Sequence, residues 1–309
     1  MGTPSFAMPT LDALRQAGHG IIAVCTQPDR PAGRSGRPAP PPVKCRAREI
    51  SCPVHQPEDL AAGGLEPVLR ELSPDLLVVV AYGLKLPRRI LDLPRQGAVN
   101  LHPSLLPRYR GAAPINRAII NGDRVTGVTT MFLSPRMDAG DVILQEPVEI
   151  LPDETAGELE TRLALFGAEL MVRTVGLIAA GDPPRKPQDE SLATVARKLG
   201  PEDGRIDWRQ PSGRIRDLVR GLAPKPGAFT LFRGQRLEIS RAEGICGPEN
   251  QGAGFVCGRI CRFVKGRGPV VSASDGGVLL AEVKPAGSKT MAGAAFINGY
   301  RPEIGEELG

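Results

Sequence analysis

No stretch of the sequence approaches the roughly 18 consecutive apolar residues that a bilayer helix needs, and the first residues lack the charged-then-apolar build of a secretory signal. The expectation is a cytoplasmic protein. Cysteine is scarce: Cys25, Cys45, Cys52, Cys246, Cys257 and Cys261 are the only six in 309 residues. With 41% hydrophobic residues the chain can bury a large core without disulfide staples, so free thiols are expected. Cys257 and Cys261 are four apart but have no histidine nearby, and no ligand spacing elsewhere suits a metal. The Gly-x-Gly-x-x-Gly fingerprint is missing as well, so a nucleotide-type sheet here has no need to bind a dinucleotide. There is no internal repeat and no coiled-coil pattern.

What is present reads as an α/β chain of two domains. Over the first two hundred residues, short apolar runs alternate with helical stretches, as parallel strands joined by crossover helices do. Strands are expected at 21–24, 76–81, 98–101 and 128–132, the first two continuously apolar, as in a sheet covered on both faces. Thr155 and Glu158 have capping-box spacing, and Leu159, Leu163, Phe166 and Leu170 share a face, so 155–179 is expected as a helix. The expected layout is a doubly wound, mostly parallel domain over 1–181, a linker over 182–204 and a second domain over 205–309. In the last, short runs at 229–232, 237–239, 255–260 and 278–283 lie between glycine-rich turns, which predicts a small β-barrel, with Trp208 as a packing anchor.

The net charge of +5 is unevenly distributed. Residues 205–309 hold 16 Lys/Arg against 10 Asp/Glu, and residues 28–48 hold Arg30, Arg34, Arg37, Lys44, Arg46 and Arg48 against Asp29 alone. A phosphate backbone is the kind of partner such clusters suit. The Pro/Gly-rich segment 28–42 has almost no apolar side chains and is expected as a mobile surface loop.

The densest chemical signal runs from Asn100-Leu101-His102 through Ser104-Leu105-Leu106-Pro107 to Arg110-Gly111, then Thr126–Thr130 and Met137-Asp138-Ala139-Gly140. Two-residue spacing on a strand points Asn100 and His102 to one face, and the end of a strand in an open α/β sheet is where ligands bind. An amide, an imidazole and a carboxylate meeting there would supply oxyanion donors and a proton acceptor.

These residues and spacings resemble the folate-dependent formyltransferase superfamily. That family's pattern is an Asn-x-His on one strand, a Ser-Leu-Leu-Pro-x-x-Arg-Gly loop and a downstream Asp-x-Gly. Within it, Gly2–Ala7, Thr26–Arg34 leading to Lys44, Ala81-Tyr82-Gly83, Arg205–Trp208, Pro224–Ala228 and Pro285–Met291 resemble the members that act on initiator methionyl-tRNA. The resemblance implies a Rossmann-like domain followed by a C-terminal barrel of OB type that binds tRNA. It implies 10-formyltetrahydrofolate as a cosubstrate, with no tightly bound cofactor, and Ser104, Leu105, Leu106 and Pro107 as the tetrahydrofolate loop. Arg30, Arg34, Arg37 and Lys44 become candidates for tRNA contacts. Asn100 and His102 would donate to the formyl oxygen, while Asp138 would orient His102 and draw the proton from the amine. A monomer is expected. The alternatives are a formyltransferase for a nucleotide-linked amino sugar, which would share the site but not the acceptor, and a non-catalytic RNA-binding protein.

In the family a short apolar strand near the centre of the sheet precedes Gly-Thr-Pro, whereas Met1 is followed at once by Gly2-Thr3-Pro4. The expectation is a true start about ten residues upstream, the length of a typical strand and turn.

Overall fold

The computed structural model describes residues 1–32, 36–60, 64–246 and 256–309. It divides into two compact units, one of residues 1–114, 125–149 and 160–196, the other of residues 115–124, 150–159 and 197–309.

In the first unit β1 (Val24–Cys25) pairs in parallel with β4 (Val54–His55), and β2 (Arg30–Ala32) pairs antiparallel with β3 (Arg37–Ala39). The larger sheet has the order β5 (Leu77–Val80), β6 (Ala98–His102), β8 (Val125–Phe132), β9 (Val142–Glu149). Its β5–β6 pair is parallel; β8 and β9 run antiparallel to their neighbours. The parallel run of the mostly parallel sheet expected therefore stops at β6. A parallel return needs a crossover on one face of the sheet. Between β6 and β8 lie a loop, the two-residue β7 (Arg110–Gly111) and α5 (Pro114–Ile120), most of which counts with the second unit. β8 and β9 then form a hairpin whose connection, residues 133–141, carries Asp138.

Helices α1 (Met8–Gln16), α2 (Pro42–Glu49), α3 (Glu66–Leu72), α4 (Arg88–Leu91) and the long α6 (Ala156–Ala179) complete the described helices of this part of the chain. The start of α6 is the capping box its sequence predicts. Thr155 N–H donates to Glu158 Oε2 at 2.8 Å, and Glu158 N–H donates back to Thr155 Oγ1 at 3.3 Å. The connector after α6 is laddered onto the first unit, for Lys186 bridges Val142 and β10 (Val195–Ala196) pairs in parallel with β7.

Between β1 and β5, the backbone of Met1 and Gly2 joins the two parallel pairs. Met1 N–H donates to Val78 O at 2.6 Å, Val80 N–H to Met1 O at 2.8 Å and Gly2 N–H to Cys25 O at 3.0 Å. Beside them is an apolar cavity of about 140 Å³, lined by Leu11, Leu14, Ile21, Leu69, Leu76 and Val78 among others. Burial of the Met1 amine lowers its pKa, because a charge in such surroundings loses hydration.

The second unit is built on α7 (Ser212–Leu222) and an antiparallel sheet. Its order is β11 (Ala228–Phe232), β12 (Gln235–Cys246), β15 (Gly276–Pro285), β14 (Gly268–Ala273), β13 (Ile260–Val264), with β16 (Met291–Ala292) on β15 and α8 (Gly293–Tyr300) after it. Asp275 accepts from Ser212 N–H at 2.7 Å and so satisfies one orphan donor at the start of α7. Trp208 is buried in a core with Val219, Phe232, Val271, Leu280 and Phe296, and its indole donates to Thr230 Oγ1 at 3.1 Å, the anchor its sequence position suggested.

The expected barrel is an open sheet in this structure, since β11 and β13 do not pair among the described residues. The C-terminal tail covers their free edges instead: Leu308 N–H donates to Gly258 O, Gly309 N–H to Leu231 O and Ile260 N–H to Glu306 O. The run expected at 255–260 enters a strand only at Ile260, and Phe255 lies outside the described residues. Among the described residues no helix is long and apolar enough to cross a membrane.

Candidate active site

The end of β6 carries the first two candidates. Asn100 is half-buried opposite Met131 of β8, and His102, 4% exposed, is opposite Thr129. Alternation along the strand sets both on one face. His102 Nε2 lies 2.9 Å from the carbonyl oxygen of Tyr109. A carbonyl only accepts, so this nitrogen carries the proton, and Nδ1 is the nitrogen left for chemistry.

The loop between β8 and β9 returns Asp138 to the same place. Its Oδ2 is 3.7 Å from His102 Nδ1 and accepts from Gly111 N–H at 2.8 Å. The longer distance is beyond a hydrogen bond, so the Tyr109 carbonyl, more than Asp138, holds the ring in place. Asp138 has φ +49°, in the left-handed region. Two residues on, a Cβ at Gly140 would lie 1.8 Å from Phe132 O, so only glycine lets the loop lie this close.

The Ser104–Pro107 loop is secured from β8 and β9. Ser104 is fully buried and its hydroxyl donates to Arg108 O at 2.6 Å. Thr129 Oγ1 donates to Ser104 O at 2.6 Å and accepts from Leu106 N–H at 3.2 Å. Gln145 Nε2 donates to Leu106 O at 2.8 Å and to Thr129 Oγ1 at 3.0 Å. Leu105 packs over Gly127, where an added Cβ would lie 2.5 Å from its Cδ2. Thr129 belongs to a run the sequence singled out without a role, and its fully buried hydroxyl supplies one; nothing in the sequence pointed to Gln145.

Of the basic candidates, Arg30 and Arg37 are exposed on the β2–β3 hairpin. The segment expected as an irregular loop is thus a short ladder, and Arg34 falls outside the described residues. Lys44 is different. It is buried, and its ammonium sits 2.6 and 2.8 Å from the Asp29 carboxylate oxygens, so it fastens the root of the hairpin and offers no charge to a partner. Gln56 Nε2 donates to the same carboxylate at 2.8 Å. The Gln56 amide and the Lys44 ammonium together hold the Asp29 carboxyl below its ordinary range.

No group of three or more His, Cys, Asp and Glu that could hold a metal occurs among the described residues. Those geometries meet a clear relationship to known proteins. The model of the formyl transferase family matches residues 1–175, and that of the formyl transferase C-terminal domain matches residues 198–301. The chain belongs to the formyl transferase family. It is 52% identical over 311 residues to the methionyl-tRNA formyltransferase of Moorella thermoacetica, covering 100% of this chain and 98% of that protein. Among solved structures, the sugar 3N-formyl transferase WlaRD, crystallised with dTDP and 5-N-formyl-THF, is similar with a TM-score of 0.66 at 14% identity, over 93% of this chain and 97% of that one. HypX from Aquifex aeolicus, in complex with tetrahydrofolic acid, is similar with a TM-score of 0.63 at 19% identity, over 93% of this chain and 49% of that one. At such identities these two likenesses establish a shared fold. The site of this formyl transferase therefore has to serve movement of a one-carbon acyl group.

Proposed function

We propose that this formyltransferase moves the formyl group of 10-formyltetrahydrofolate to the α-amino group of methionine on initiator methionyl-tRNA. The observation that carries the acceptor is the 52% identity, along the whole chain, to a methionyl-tRNA formyltransferase. The observation that carries the chemistry is the meeting of His102 Nδ1 and Asp138 Oδ2 at the end of the strand that bears Asn100.

The amine attacks the formyl carbon, the carbonyl oxygen takes up negative charge, and the bond from that carbon to the folate nitrogen then breaks. Asn100 donates its amide N–H to the developing oxyanion, and His102 donates a second hydrogen bond. One such donor is worth roughly 3–4 kcal/mol. Asp138 accepts the proton that the amine loses and returns it, directly or through water, to the departing folate nitrogen. Ser104, Leu105, Leu106 and Pro107 hold the tetrahydrofolate, which comes and goes as a cosubstrate. Arg30, Arg34 and Arg37 meet the acceptor end of the tRNA, and residues 205–309, as a small OB-type module, meet its backbone. The enzyme works as a monomer in the cytoplasm.

The test is formyl transfer from 10-formyltetrahydrofolate to charged initiator tRNA and, in parallel, to a nucleotide-linked amino sugar. Product with the tRNA alone is expected. Product with the sugar alone would replace the acceptor, and no product with either would end the catalytic reading.

A further inference from the structure

Arg110, the arginine of the Ser-Leu-Leu-Pro-x-x-Arg-Gly run, takes no part in the chemistry above, yet it is only 12% exposed in its side chain. It grips Gln188. Nε and Nη2 donate to Gln188 Oε1 at 3.0 and 2.7 Å. A guanidinium has no acceptor, so these bonds fix which end of the amide is oxygen. The amide nitrogen must then face the other way, and it donates to the carbonyl oxygens of Asp138 at 2.9 Å and Gly140 at 2.8 Å. Glu190 locks the outer side, pairing with Arg110 at 3.0 Å and with Arg136 at 2.5 Å. These two arginines keep the Glu190 carboxyl below its ordinary range, Arg110 foremost.

The loop that receives these bonds needs holding. Asp138 sits at φ +49°, a left-handed conformation that L residues other than glycine adopt only at a cost. Its carboxylate accepts from Gly111 N–H. Gly111 directly follows Arg110, so one two-residue strand anchors the carboxylate through its own amide and the main chain of the same loop through Gln188.

We propose that Gln188 is a positioning residue for the formyl transfer, gripped by Arg110 so that its two amide hydrogens fix the left-handed turn presenting Asp138 to His102. This rests on Asp138 having the role given under the proposed function. Gln188 touches no reacting atom; it acts by keeping the carboxylate in place, where a displacement of about 1 Å is worth about a hundredfold in rate.

The experiment measures kcat and KM of the whole enzyme for both substrates, with Tm, for Gln188→Glu, Gln188→Ala, Asp138→Asn and the double variant Gln188→Ala/Asp138→Asn. Gln188→Glu keeps the shape and the partner for Arg110 but turns the two donors into acceptors. Its kcat is expected to fall about tenfold to a hundredfold with Tm within about 3 °C of the native value. The double variant is expected to be no slower than Asp138→Asn alone, since Gln188 then has nothing left to position. Native kcat in Gln188→Glu, or losses that multiply in the double variant, would overturn the proposal and leave Asp138 its role. Native kcat in Asp138→Asn would overturn the reading of the site itself, and this proposal with it.

Discussion

The end of β6 and the β2–β3 hairpin were both conspicuous in the sequence, and they are built in opposite ways. At the first, His102, Ser104 and Thr129 are buried, and backbone groups hold each important atom: the Tyr109 carbonyl the imidazole, the Gly111 amide the carboxylate, the Ser104 carbonyl the Thr129 hydroxyl. At the second, Arg30 and Arg37 stand exposed on a ladder fastened at its root by Lys44, Asp29 and Gln56. Chemistry at a carbonyl carbon rewards fixed geometry, because a preorganised donor has no reorganisation left to undergo when charge develops. Capture of a long polyanion rewards reach, for its charge is spread along the backbone and is felt over a Debye length. The contrast separates rate from affinity.

His102→Ala should break the first half of the contrast most severely. Steady-state assays should find kcat down by about 10³-fold, with the KM for charged tRNA little changed. Asn100→Ala removes one donor and should cost about 10²-fold in kcat. At the hairpin the signature should reverse: the double variant Arg30→Ala/Arg37→Ala should raise the KM for charged tRNA about tenfold at unchanged kcat. It should also flatten the dependence of log KM on log salt by about 1–2, as each lost phosphate contact takes one unit or less. If the arginine variants instead lower kcat, the two regions are not separable.

The smallest effect concerns the hairpin root. The Asp29 carboxyl is held below its ordinary range, so its contribution to stability is complete above the ordinary carboxylate pKa of about 3.9 and is lost as pH falls through the lower folded value. Carboxyl-carbon NMR titration should therefore find Asp29 ionised when an unperturbed aspartate is half protonated. Gln56→Ala and Lys44→Met should each move its midpoint upward.

Much of this site was legible in the chain because its parts are close in sequence or follow a simple period. Asn100 and His102 are two apart on a strand, and the box at Thr155 and Glu158 follows directly from the spacing of helix-start residues. The parallel sense expected for 128–132 was not legible, because strand direction depends on what the intervening residues do and not on the strand's own pattern. That the sheet stays open was equally hidden, since the tail residues 305–309 that line its edges have no strand signature. Gln188 and Gln145 were missed for a related reason: a glutamine, in an irregular segment like Gln188 or on a strand like Gln145, looks like any surface residue until the carbonyls it serves, 50 and 39 residues away, are known. Lys44 misled because its charge is countable in the sequence and its partner Asp29 is not assigned there.

The most direct trial of the central geometry is a crystal structure of this enzyme with a non-transferable formyl-folate. The formyl oxygen is predicted within hydrogen-bond distance of Asn100 Nδ2 and of His102 Nδ1, with His102 Nε2 still bonded to the Tyr109 carbonyl and the formyl carbon open towards Asp138. A folate seated elsewhere, or an imidazole turned so that Nε2 meets the formyl group, would contradict it.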